Sequence, residues 1–254
     1  MSKLYRLLPL LLLLSCGKCR EPMTLTLVTY NVGAFSKYED NTIPQVAEVI
    51  LAADASYVAL NELDSCNRRH DSYQLQELAE ALGEWAFQFA SAFPFGGGAY
   101  GNGIVSRNQV ISRYRVPLPR SDGSEPRSVA VVETDLCVFA SVHLDYIGEN
   151  SQSDQVKALN DWFKAVYAGA GKPVFLCGDF NALPDSETIG LMQESWTRLS
   201  GTDFTFSTRD PHECIDYVFC YKDAAPVKVL SSEVLTEGTE TLSDHFPVKV
   251  VVKF

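Results

Sequence analysis

The chain has 254 residues, 46% of them hydrophobic and 21% charged, with 32 acidic side chains against 21 basic and a net charge of −11. That composition excludes global disorder and is enough to build one large core. The acidic surplus argues against general attraction to nucleic acid phosphates, although a bound divalent cation can reverse the sign locally.

The N-terminus reads as an export signal. Lys3 and Arg6 precede the apolar run Leu7 to Leu14, which is too short to span a bilayer but suits a signal core. The run ends in Leu13-Leu14-Ser15-Cys16, which resembles a bacterial lipobox. The expectation is a signal peptide over residues 1–15, a tether over 16–23 with Cys16 lipidated, and a catalytic domain over 24–254. The protein would then be exported and held by lipid at the cell envelope. The competing reading is a plain signal peptide cleaved nearby.

Thr24 to Tyr30 alternates apolar and polar residues and predicts a strand. Val46, Val49, Ile50 and Ala53 form the stripe of an amphipathic helix, and Ser56 to Leu60 a short strand. Leu75, Leu78, Ala79 and Leu82 mark a second helix. Strands are expected at Ala86 to Ser91 and Gly103 to Arg107, with Gly96-Gly97-Gly98 in the loop between them. Val110 to Val116, Ser128 to Glu133 and Cys137 to His143 read as antiparallel strands. Val156, Leu159, Phe163 and Val166 predict a third helix, capped near Ser153 or Asp154 and stopped by Gly169 and Gly171. A strand at Pro173 to Cys177 and a short helix near Ser186 to Met192 follow. Strands at Ile215 to Cys220, Val227 to Val234 and Pro247 to Phe254 close the chain. Many strands and few helices favour a mixed, largely antiparallel sheet with helices outside, in one domain.

Seven cysteines match no zinc spacing. Cys137 and Cys177 fall inside apolar runs and read as small core residues, and pairing among the others stays open.

Polar residues collect at strand ends: Asn31, Glu62, Asn102, His143, Asp179 with Asn181, and Asp244 with His245. Singly, most are ordinary turn formers. Asp216 differs, because it interrupts an apolar strand and needs a partner there. Together, four carboxylates and two histidines would suit a hard-oxygen site for Mg²⁺ or Mn²⁺, with histidines for proton transfer. Phosphoester hydrolysis needs that combination, since charge grows on phosphate oxygens while water is activated.

Seven segments then resemble the endonuclease/exonuclease/phosphatase superfamily of DNase-I-like proteins: Thr29-Tyr30-Asn31-Val32, Asn61-Glu62, Tyr100-Gly101-Asn102-Gly103-Ile104, Ser141-Val142-His143-Leu144, Gly178-Asp179-Phe180-Asn181, Ile215-Asp216-Tyr217 and Ser243-Asp244-His245-Phe246-Pro247. The resemblance implies an α/β four-layer sandwich, with two central mixed sheets flanked by helices. It implies Glu62 as principal metal ligand, Asn31 close by in the metal site and orienting it, and Asp244 completing the metal site from the far side. Asp179 would position or deprotonate water, with His245 as acid or base on the phosphate, oriented by Asp216. His143 and Asn181 would hold phosphate oxygens, Asn102 would support the phosphate pocket as one of its binding residues, and Arg127 could join them. Asn61 stands where many relatives carry Gln, and a supporting role is expected for it. Asp145, His70 and His212 are read as ordinary loop residues.

The function expected is divalent-metal-dependent hydrolysis of phosphodiesters or phosphomonoesters by a monomer, on a lipid headgroup, a nucleotide or a nucleic acid. A nuclease is the runner-up. A non-catalytic binding protein on the same fold is the rival from another class.

Overall fold

The structure is a computed structural model that describes residues 22–121 and 124–254. The expected signal peptide, Cys16 and most of the tether lie outside the described residues. No described helix is long and apolar enough to cross a membrane.

Among the described residues, twelve strands form two six-stranded sheets. The first runs β11(Lys228–Val234), β12(Val248–Lys253), β1(Thr24–Asn31), β2(Tyr57–Ser65), β4(Gly98–Ser106), β3(Ala86–Phe95). The second runs β5(Ser112–Pro117), β6(Ser128–Glu133), β7(Val138–His143), β8(Val174–Asp179), β10(Asp216–Tyr221), β9(Trp196–Arg198). Helices α1(Ile43–Ala52) and α2(Gln74–Ala81) cover the first sheet, and α3(Glu149–Tyr167) and α4(Glu187–Ser195) cover the second. The four-layer sandwich expected from the resemblance is the architecture observed.

Strand periodicity builds the layers. On β1, Val28 and Tyr30 join the helix-side core while Leu25 and Leu27 face the other sheet. On β8, Val174 and Leu176 face the helices while Phe175 and Cys177 face the first sheet. The layer between the sheets is apolar along most of its length, and Tyr57 stacks on Phe139 at 5.3 Å there. The same two-residue step carries each inner face outward to a polar residue: Leu27 to Asn31, Tyr57 to Asn61, Phe139 to His143, Phe175 to Asp179. Register aligns these ends, since β1 and β2 pair in parallel with Asn31 opposite Asn61. His143 lies opposite Asp179 in parallel β7–β8, and Asp216 opposite Asp179 in antiparallel β10–β8.

Several boundaries differ from expectation. β3 and β4 extend to a two-residue turn at Gly96-Gly97, both at positive φ, so Gly98 lies in a strand. α3 starts at Glu149, four residues before Ser153, because its first turn is buried by polar packing rather than by an apolar stripe. There Gln152 donates to the carbonyls of Asp145 and Asn181, and Gln155 accepts from the Asp145 amide. Val166, expected in the helix's apolar stripe, is exposed. β9 is three residues long, too short for alternation to reveal. Cys66, Cys137, Cys177, Cys214 and Cys220 are all unpaired, and Cys137 and Cys177 are core residues as read.

Candidate active site

The aligned polar ends open into a cleft of about 410 Å³, lined by Glu62, Arg127, His143, Asp179, Asn181, Asp244 and His245 among others. Local backbone devices aim these side chains. In β2 the register slips between Leu60 and Leu63, a bulge in which Glu62 sits at φ +59° and turns into the cleft. Gly101 faces this bulge, and a Cβ there would meet the Ala90 carbonyl oxygen at 2.1 Å. Gly178, at φ +150°, lets β8 approach the Val142 carbonyl oxygen, where a Cβ would clash outright. Asn181 then adopts φ +47°, and its amide donates to Asp179 Oδ1 at 2.8 Å.

Asp179 sits at the centre, buried between two histidines. Its Oδ2 accepts from Asn31 Nδ2 at 3.0 Å and lies 3.5 Å from His143 Nε2 and 3.6 Å from His245 Nε2. Behind His245, Nδ1 meets Asp216 Oδ2 at 2.9 Å, and Thr205 Oγ1 donates to the same oxygen at 2.6 Å. Asp216 therefore has the partner its burial demanded. Asp179, Asp216 and His245 lie close enough together to hold an ion. Asp216 Oδ2 is already engaged by His245 and Thr205, so the trio reads as a proton relay.

The two histidines are driven apart in charge. Burial works against the imidazolium of His245, yet Asp216 and Asp179 outweigh it and raise its pKa to about 10. His143 is pushed well below its ordinary value, first by burial and then by Arg127 and His245. Arg127 Nη1 donates to His143 Nδ1 at 3.2 Å, which assigns the remaining ring proton to Nε2, facing Asp179. Asp179 is raised by burial and by Asp216, against the pull of His245. The site thus holds a charged histidine, a neutral histidine and a carboxylate basic enough to take a proton near neutral pH.

The other predicted residues divide. Asn31 Oδ1 accepts from the Gly33 amide, and its Nδ2 donates to Glu62 at 3.1 Å and to Asp179. Asn31 therefore orients both carboxylates, as expected, while the Gly33 amide takes one of the two lone pairs of its oxygen. Asn102 is absent from the cleft lining, and its amide holds the Ser128 carbonyl at 2.7 Å, tying β4 to β6. It supports the site from behind the cleft wall. Asn61 bridges the Val142 carbonyl and the Asp179 amide, a supporting role as read. Arg127, Asn181, His143 and Asp244 all line the cleft. Asp145 is fully buried rather than a surface turn residue. His70 meets Asp64 at 2.6 Å, and His212 is exposed.

Sequence reasoning missed Lys37, Thr205 and Gln152. Lys37 lies in a loop with no motif around it, but its ammonium reaches Asp244 Oδ2 at 2.5 Å and is drawn by Glu62 as well. A cation is thus already held where Glu62 and Asp244 face the cleft. Two hard carboxylates around a cation fit Mg²⁺ or Mn²⁺. Thr205 and Gln152 were hidden because their value lies wholly in tertiary partners.

Residues 28–245 match the sequence profile of the endonuclease/exonuclease/phosphatase family. The chain belongs to that family. A family member from Bacteroides thetaiotaomicron superposes with a TM-score of 0.73 at 18% identity, covering 92% of this chain and 99% of its own. A mannosyl-6-phosphatase from the same organism gives 0.72 at 19%, covering 91% and 100%. The human Nocturnin catalytic domain, solved with a bound sulfate, gives 0.69 at 19%, covering 90% and 94%. At these identities the likeness establishes the fold. No curated protein matches the chain by sequence.

Proposed function

We propose that this endonuclease/exonuclease/phosphatase member is a divalent-metal-dependent phosphoesterase. The observation that carries the reading is Asp179 between a charged and a neutral histidine, beside the Glu62–Asp244 carboxylates. Glu62 and Asp244 would hold Mg²⁺ or Mn²⁺, which supplies charge neutralisation at the phosphate oxygens. Asp179 takes the proton of the attacking water, helped by burial that raises its basicity; as the water oxygen bonds to phosphorus, the ester P–O bond breaks and the leaving oxygen takes a proton from solvent water. His245 donates to a phosphate oxygen and keeps its charge through Asp216. His143 Nε2–H, Arg127 and Asn181 line the cleft wall and would donate to the remaining oxygens. Asn31 holds Glu62 and Asp179 at a fixed separation.

That neighbours include a mannosyl-6-phosphatase and a 2′,3′-cyclic phosphatase supports phosphoester chemistry. The acidic surplus favours a small substrate over a long polyanion. Export with a lipid on Cys16 completes the proposal and would place the cleft near a membrane. The test is a hydrolysis panel of bis-p-nitrophenyl phosphate, p-nitrophenyl phosphate, plasmid DNA and sphingomyelin vesicles, with Mg²⁺, with Mn²⁺ and with chelator. Metal-dependent turnover of one member supports the reading. Inertness on all four, together with no metal binding in a titration, would overturn it.

A further inference from the structure

Directly after Asn31 and Val32 the chain makes a left-handed turn. Gly33, Ala34 and Phe35 all lie at φ between +52° and +57°. Such backbone is costly for Ala34 and Phe35, which carry a Cβ, so the surroundings must hold it. Both residues are buried. The Ala34 carbonyl accepts from Gln74 Nε2 at 2.7 Å, and the Phe35 carbonyl from the Thr42 amide at 2.9 Å. Gly33 has little room for a side chain, because a Cβ there would meet the Lys37 Cβ at 3.0 Å.

The turn delivers Lys37 to the cleft. Its ammonium pairs with Asp244 Oδ2 at 2.5 Å, and 40% of its side chain stays exposed. The Asp244 segment is tied down as well. Thr208 donates from its amide to the Asp244 carbonyl at 3.0 Å and from Oγ1 to the Ser243 carbonyl at 2.9 Å. Arg209, the next residue, lies over the Tyr38 ring at 3.8 Å from its centroid. The backbone on both sides of the ion pair is therefore held. The lysine stem, four methylenes ending in a rotatable ammonium, is the part that can move.

We propose that Lys37 is a two-position lysine that couples metal binding to phosphate binding: it neutralises Asp244 before a divalent ion binds, and moves to a phosphate oxygen of the substrate once Glu62 and Asp244 hold that ion. The inference rests on the phosphoesterase reading of the cleft. Glu62 and Asp244 face one cleft, and without a cation their charges repel. Lys37 supplies the cation. An ammonium on Asp244 Oδ2 is in turn repelled by a divalent ion on the same carboxylate, and Asp244 is only 11% exposed, so solvent screens this weakly. Lys37 shares the cleft wall with Arg127, His143 and Asn181, and an ammonium binds a phosphate oxygen as it binds a carboxylate oxygen. Glu39 and Asp40 are the competing acceptors, but both are exposed on the loop surface, where ion pairs are weak.

The test is calorimetry on the full chain, first with Mn²⁺ alone, then with inorganic phosphate titrated into Mg²⁺-saturated protein. Neither arm depends on turnover. Lys37→Met removes the charge and keeps the stem. It should bind Mn²⁺ about tenfold more tightly than the parent and phosphate about tenfold more weakly, the scale of one charged hydrogen bond. Lys37→Arg keeps a cation on Asp244 and should show no gain in Mn²⁺ affinity. A thermal melt checks that each variant is folded, and Lys37→Gln replaces Lys37→Met if the latter is not. The opposite signs are the signature, because removing an ion pair that only braces the loop would leave Mn²⁺ affinity equal or lower. Unchanged or weaker Mn²⁺ binding in Lys37→Met, the same gain in Lys37→Arg, or unchanged phosphate affinity would overturn the coupling while leaving the phosphoesterase reading intact. A parent chain that binds neither Mn²⁺ nor phosphate would overturn both.

Discussion

The layer between the two sheets has two halves that obey opposite rules. In one, Leu25, Leu27, Tyr57, Phe139, Phe175 and Val250 fill the space with apolar contacts. In the other, the same strands continue four residues further and bury Asn31, Asn61, His143 and Asp179 instead, with Asp216 beside them at the start of β10. The apolar half gains from removing surface from water, which demands only volume and fit. The polar half must satisfy each group individually, and the partners span both sheets: Asn61 to Val142, Asn31 to Asp179, Ser141 to Leu60, Asn102 to Ser128. One half clamps the sheets together. The other uses that rigidity to hold charges in place that would otherwise drift or neutralise.

The comparison yields predictions that separate the halves. His245→Ala should reduce kcat about 10²–10⁴-fold, the range for loss of a positioned charged donor at the reacting phosphate. A loss under tenfold would remove His245 from the chemistry. Phe175→Ala should cost about 3–5 kcal/mol of stability in a denaturant titration, with activity per folded molecule largely kept. Loss of activity without loss of stability would show the halves are not separable. Glu62→Gln should weaken Mg²⁺ or Mn²⁺ binding by roughly tenfold or more, and by more than His245→Ala does. Equal affinity in the two variants, measured by calorimetry, contradicts the assignment of Glu62 as principal ligand.

Smaller effects follow from the second-rank contacts. Arg127→Met should free His143 Nδ1 and raise the pKa of that ring, read from its ring signals in an NMR pH titration. An unmoved titration would deny Arg127 its role in fixing the neutral ring. Asp64 gives the smallest effect. Burial raises its pKa, but hydrogen bonds from Arg69 and His70 outweigh this and hold it below the usual carboxylate range. A depressed folded pKa contributes stability above the unfolded value of about 4 and loses it as pH falls through the folded one. Stability should therefore fall less steeply below about pH 4 in Asp64→Asn than in the parent chain.

Much of this was legible in the chain. Alternation gave the strand that ends at Asn31, and short apolar runs gave those that lead to His143 and Asp179, because strands covered on both faces read as continuous apolar stretches. The isolated carboxylate of Asp216 in an apolar run announced a buried partner, and His245 is that partner. What stayed hidden depends on tertiary position. The bulge that aims Glu62 has no local signature beyond the residue itself. The polar first turn of α3 is buried against loops distant in sequence, so the apolar stripe places its start four residues late. Asn31 and Asn102 were legible as residues that orient and support the site, but the Gly33 amide and Ser128 carbonyl that fix their amide groups are not. Lys37 carries no motif, and only the carboxylates around it give it meaning.

The most direct measurement is turnover of bis-p-nitrophenyl phosphate by the parent chain, His245→Ala and Phe175→Ala, each with Mg²⁺, with Mn²⁺ and with chelator, alongside thermal melts. The account predicts metal-dependent turnover in the parent, near-complete loss in His245→Ala with a folded melt, and a lowered Tm with activity retained in Phe175→Ala. Turnover that survives both the chelator and His245→Ala would contradict it.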